Sequence, residues 1–85
     1  MANYHIEIKK SAQKEISKLP KEVLPKIIQT IESLSKEPTP QNSIKLTNDE
    51  KYRIRVGNYR ILYSIVHEIV TIYVVKVGHR KDVYR

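Results

Sequence analysis

Apolar residues recur along this chain with two different periods, and the change between them falls near Lys51. At the start, "YHIEI" alternates Tyr4, Ile6 and Ile8 against His5 and Glu7, the pattern of a half-buried strand. The spacing then lengthens. Ala12, Ile16 and Leu19 share one face of a short helix, with Ser11 placed to cap it and Pro20 to end it. Val23, Ile27, Ile31 and Leu34, with Leu24 and Ile28 alongside, predict a longer helix from near Lys21 or Glu22 to about Lys36. Pro25 is tolerated there because the amides of a first turn have no helical partner to lose. "EPTPQNS" has no period and reads as a loop, after which "IKL" suggests a short strand.

From Lys51 onward the period is two. "KYRIRV", "YRILYSIV" and "IVTIYVVKV" read as three strands. The last is apolar on both parities, which predicts a central strand covered on both faces for much of its length. The expected architecture is α+β, within a single domain over residues 1–85. An N-terminal strand and two antiparallel helices precede a three- to four-stranded antiparallel meander packed on the helices.

Gly57-Asn58 lies between two of these strands and suits a two-residue type II′ turn, with glycine at the first central position. Such a turn sets Val56 opposite Tyr59, Arg55 opposite Arg60, Ile54 opposite Ile61, Arg53 opposite Leu62 and Tyr52 opposite Tyr63. Residues directly opposite share a face. One face then carries Tyr52, Ile54, Val56, Tyr59, Ile61 and Tyr63, suited to receiving the helices. The other carries Arg53, Arg55 and Arg60. Like charges set opposite one another are destabilising, so this face is expected to meet an anion. Lys51 shares its parity but lies farthest from the turn.

Charge strengthens that expectation. The formal net charge is +7 over 85 residues, which favours nucleic acid, anionic lipid or an acidic protein as partner. Eight of the eleven lysines precede Lys51, whereas all five arginines lie between Arg53 and Arg85. Arginine's planar fork matches a phosphate. The absence of cysteine excludes a disulfide framework and a thiolate zinc site, and no run is apolar enough for a signal peptide or a membrane span. A cytoplasmic location and no membrane partner are expected.

The C-terminal "KVGHRKDVYR" adds Lys76, His79, Arg80, Lys81, Tyr84 and Arg85 in quick succession after a strand. An aromatic beside arginines can hold a base and its phosphate together. His79 is the nearby group whose unperturbed pKa suits proton transfer, with phosphate contact or packing as the other readings. His5, on an expected edge strand, and His67, in an expected turn, read as exposed. The histidines are dispersed and no acidic cluster has ligand spacing, so neither a metal nor a cofactor is expected.

Together, "SAQKEISKLP" with its following helix, "YRIRVGNYRILY" and "VGHRKDVYR" resemble the RelE family of bacterial toxins from toxin–antitoxin pairs, over nearly the whole chain. The resemblance implies a RelE-like fold and a ribosome-dependent mRNA endonuclease that cuts the A-site codon, held inactive by a RelB-like, acidic antitoxin. It also implies catalytic roles for Arg53, Arg55, Arg60, Arg80 and Tyr84. Lys51, Lys76, His79, Lys81 and Arg85 are expected RNA contacts. The best-known member has lysines where this chain has Arg53 and Arg55. Because arginine keeps its proton, those two positions suit charge stabilisation rather than acid or base work.

Cutting RNA through its own 2′-hydroxyl requires alignment, charge stabilisation and proton transfers. Arg53, Arg55 and Arg60 supply the second. Tyr84 could stack on the base, orient the hydroxyl, or act as base if Arg80 lowers its pKa. Two other readings stay open: a ParE-like toxin of the same fold that inhibits gyrase by binding, and a noncatalytic RNA-binding module.

Overall fold

The computed structural model describes residues 3–46 and 51–79. Its elements follow the order β1 (His5–Ile8), α1 (Lys10–Ser17), α2 (Leu24–Leu34), β2 (Ser43–Lys45), β3 (Lys51–Val56), β4 (Tyr59–Val66) and β5 (Thr71–His79). The strands form one five-stranded sheet in the order β1-β5-β4-β3-β2. From β2 to β5 each strand pairs antiparallel with the next, which is the expected meander at its four-stranded length. β1 joins the far side of β5 in parallel, so the sheet is mixed and β1 is an edge strand.

One face of this sheet receives both helices. Ile54, Ile61, Tyr63, Ile65, Ile72, Val74 and Val77 pack there with Ala12, Ile16, Ile27, Ile31 and Leu34 in one core cluster. Complete burial of such side chains contributes about 1.5–3 kcal/mol each, so this cluster dominates the stabilisation. Ile28, expected alongside the stripe of α2, sits at its rim and is 37% exposed.

The helix starts differ from the sequence reading. Ser11 lies inside α1, and the N-cap position belongs to Lys9, which makes no side-chain capping bond. The reason is that the chain is still tied to the sheet at this point. The Lys9 amide donates to the Val74 carbonyl (2.9 Å), and the turn into helix follows at once, with the Gln13 amide donating to the Lys9 carbonyl (2.9 Å). Gln13 Nε2 also donates to the outward carbonyl of Ile8 (2.8 Å), which blunts the open edge of β1. In α2, Pro25 occupies the first turn as expected. The preceding residues coil through bonds from the Val23 and Leu24 amides to the Pro20 carbonyl.

A second difference concerns β5. It does lie between two strands, but its double apolar parity has another cause. The β4–β5 register shifts between Leu62 and Tyr63, which pair with Lys76 and Val74, leaving Val75 as an extra residue. This β-bulge reverses the alternation, so that Ile72, Val74 and Val77 all reach the core. Tyr73, on the other face, is 36% exposed, so that face is not covered there. The strand also begins at Thr71 rather than Ile69, because residues His67–Ile69 form a 3₁₀ turn closed by Val70 in the left-handed region (φ 49°).

Candidate active site

The hairpin between β3 and β4 has the register that its sequence predicts, from Val56 opposite Tyr59 to Tyr52 opposite Tyr63. Gly57 has φ +59°, and among the described residues the only other positive φ is at Val70. Positive φ at the first central residue alone is the type II′ pattern. Arg55 and Arg60 occupy the pair next to the terminal one, a non-hydrogen-bonded position at which facing side chains stand closest.

Arg53, Arg55 and Arg60 share the sheet face opposite the helices, yet their environments differ. Arg55 is exposed and Arg53 half-buried. Arg60 is only 3% exposed, with its Nε and Nη1 atoms sealed from solvent. Arg60 is therefore enclosed within the protein, while Arg55 beside it is displayed to solvent. It lies on β4, the middle strand of the five, between Arg55 of β3 and Gly78 of β5.

β2 completes the edge of this face. Ile44 pairs with Arg53 and, although 51% exposed, lines with Asn42, Arg53 and Arg55 a cleft of about 190 Å³. The proline-containing loop before β2 is held by the sheet. The Tyr63 hydroxyl donates to the Pro38 carbonyl (2.7 Å), and Ser43 donates to the Pro40 carbonyl through its amide (2.9 Å) and its hydroxyl (2.7 Å). Tyr63 stacks on Tyr52 at 5.7 Å. Burial, with the neighbouring Tyr52, pushes the Tyr63 phenol above its ordinary range against the lowering effect of Ser43.

Of the remaining expected site residues, Lys51, Lys76 and His79 are described. Lys51 is exposed at the start of β3, opposite Ser64. Lys76, expected among the RNA contacts, directs its Nζ to Glu15 Oε2 of α1 (2.8 Å), while Glu15 Oε1 accepts the Val77 amide (2.9 Å). His79 pairs with Tyr59 and meets it edge to face at 5.4 Å, on the helix-side parity. His79 thus lies on the opposite parity from Arg53, Arg55 and Arg60. Arg80, Lys81, Tyr84 and Arg85 lie outside the described residues. Sequence reasoning missed Glu15, whose signal was slight: a carboxylate on the polar side of α1, in a basic stretch.

His5 and His67 fall on the edge strand and the turn where they were expected. His5 Nε2 lies 3.2 Å from Glu7 Oε2, and His67 Nδ1 lies 3.2 Å from the Tyr4 hydroxyl.

Compared with known proteins, residues 6–84 match the family described as ParE toxin of type II toxin–antitoxin system, parDE. The chain belongs to this family of toxins. Among curated relatives, Toxin RelG of Mycobacterium tuberculosis is 30% identical over 84 residues, covering 96% of this chain and 97% of RelG. Of solved structures, RelE in the archaeal RelE–RelB complex from Pyrococcus horikoshii superposes with a TM-score of 0.83 at 32% identity, covering 92% of this chain and 96% of that one. The isolated Escherichia coli RelE toxin gives 0.81 at 25% identity, covering 95% and 90%. Within the family this toxin is therefore RelE-like in sequence and in fold. Among its described residues, no helix is long and apolar enough to cross a membrane.

Proposed function

We propose that this RelE-family toxin is a ribosome-dependent endoribonuclease that cuts mRNA in the A site. The observation that carries the reading is the cross-strand pair of Arg55 and Arg60, one exposed and one buried, with Arg53 two residues along the same face. Three guanidinium groups held on adjacent strands suit a phosphate whose charge grows in the transition state. In the reaction the 2′-oxygen attacks phosphorus and the 5′-oxygen leaves, giving a 2′,3′-cyclic phosphate and a 5′-hydroxyl. One proton departs from the 2′-hydroxyl and one joins the 5′-oxygen.

Arginine cannot exchange a proton near neutral pH, so Arg53, Arg55 and Arg60 act on charge. Tyr84, matched to the family's C-terminal aromatic, is the proposed group at the 2′-hydroxyl, and Arg80 its cationic neighbour. Lys51, Lys81 and Arg85 are proposed contacts to the RNA backbone. No cofactor is invoked.

The proposed regulator is an acidic, RelB-like antitoxin, supported by the RelE–RelB complex among the structural relatives and by the net charge of +7 on this chain. A ParE-like action on gyrase is the second reading, favoured by the description of the matching family. The two separate cleanly. Purified toxin added to ribosomes programmed with a defined message is expected to produce new 5′ ends at the A-site codon, with free message left intact. Intact ribosomal message together with inhibited gyrase supercoiling would instead establish the second reading.

A further inference from the structure

The bulge in β5 decides what faces Arg60. From Val66 opposite Thr71 to Tyr63 opposite Val74 the strands keep one register, and beyond Val75 they resume in another, with Ile61 opposite Val77 and Arg60 opposite Gly78. Continued without the bulge, the first register would set Lys76 opposite Ile61, on the core face, and Val77 opposite Arg60. The bulge therefore puts valine in the core and a residue with no side chain beside the buried arginine.

Strand pairing on the outer side of β5 does not hold this segment, because the pairing with β1 ends at Ile8 opposite Val74. Glu15 stands there instead. One carboxylate oxygen takes the Val77 amide at 2.9 Å and the other takes Lys76 Nζ at 2.8 Å. The two bonds act on the two residues whose faces the alternative register would exchange. With side chains 30% and 39% exposed, Glu15 and Lys76 are partly shielded from solvent, which strengthens a charge-assisted contact.

We infer that Glu15 is a positioning residue that fixes the bulged register of β5, and with it the glycine that faces Arg60. The consequence for catalysis rests on the endonuclease reading; the register itself does not.

The test compares the full-length wild type with Glu15→Ala and Glu15→Gln. The glutamine keeps an oxygen for the Val77 amide and gives up the charge on Lys76. In Glu15→Ala, hydrogen exchange at the Val77 amide is expected to rise at least tenfold, while the Ile61 and Ile72 amides keep their protection. The cross-strand nuclear Overhauser contacts between Arg60 and Gly78 should weaken. Glu15→Gln is expected to stay within threefold of wild type at Val77. On ribosome-bound message, the single-turnover rate should fall at least tenfold in Glu15→Ala at unchanged half-saturation, and Glu15→Gln should recover most of it.

Unchanged Val77 exchange in Glu15→Ala would overturn the inference, as would a uniform rise across the core, which would make Glu15 a general stabiliser. Loosened β5 contacts with an unchanged cleavage rate would refute the positioning role. If the wild type cut no message, the endonuclease reading would fall, and exchange and Overhauser contacts would still decide whether Glu15 fixes the register.

Discussion

Arg55 and Arg60 face each other directly across the β3–β4 hairpin, one exposed to solvent and the other only 3% exposed. Two guanidinium groups in that relation repel, and like-charged cross-strand pairs lower stability by roughly 0.2–1 kcal/mol. Arg55→Ala is therefore expected to leave the free toxin as stable as wild type or up to about 1 kcal/mol more stable. Urea unfolding measures this, and a loss of more than 1 kcal/mol would assign Arg55 a structural role. Arg60 does not suit such a test, because its burial makes truncation disruptive in itself.

Val70 is a β-branched residue at φ 49°, and its side chain is 37% exposed. The left-handed region costs an ordinary residue roughly 1–2 kcal/mol, and here burial is incomplete. The conformation is held from both sides: the Val70 amide donates to the His67 carbonyl (3.2 Å), and the His5 amide donates to the Val70 carbonyl (2.8 Å). Val70→Asn, which adopts this region readily, should raise stability by about 1 kcal/mol. A lower midpoint in thermal unfolding would show that the Val70 side chain contributes packing that its exposure conceals.

Gly57 illustrates the converse. At φ +59° a β-carbon built on it would meet no heavy atom within 4 Å. Any loss in Gly57→Ala is then backbone strain alone, about 1–2 kcal/mol. Gly57→Asn should lose less, since asparagine tolerates positive φ. Equal losses for the two, compared by denaturant titration, would point to a side-chain clash instead.

Tyr63 links stability to alkaline pH. Its phenol is neutral, buried and donating to Pro38, and its folded pKa is raised above the ordinary value of 10.0 chiefly by burial. Above pH about 10 the unfolded chain releases this proton while the folded one keeps it. The contribution is thus complete below the unfolded pKa and is lost as pH rises through the folded one. Tyr63→Phe should lower stability by about 1 kcal/mol at neutral pH through the lost hydrogen bond, and flatten the decline above pH 10. An equally steep decline in the variant would assign the alkaline effect to other groups.

Much of this structure is legible in the sequence, for identifiable reasons. The Gly57-Asn58 dipeptide sets the hairpin register, and the period-two alternation around it sorts Ile54 and Ile61 from Arg55 and Arg60 without tertiary information. The helix stripes succeed for the same reason. The misreadings arise where a long-range contact overrides the local pattern. Ser11 loses its capping role because β5 still grips Lys9. The two-parity appearance of β5 comes from a bulge at Val75, which no local propensity announces, and the Glu15 contact that meets Val77 spans 62 positions in sequence. The burial of Arg60 and the parity of His79, which the bulge sets, emerge only once the sheet is assembled. The charged face is legible from the residues alone, whereas the proposed endonuclease activity rests on the family resemblance.

The most direct measurement of the central claim is the single-turnover rate of A-site cleavage on ribosome-bound message, for wild type and Arg55→Ala side by side. If the arginine face stabilises the transition state, removing this exposed guanidinium should slow cleavage by about 10²-fold or more while the protein stays folded. An unchanged rate in a folded Arg55→Ala toxin would contradict the account.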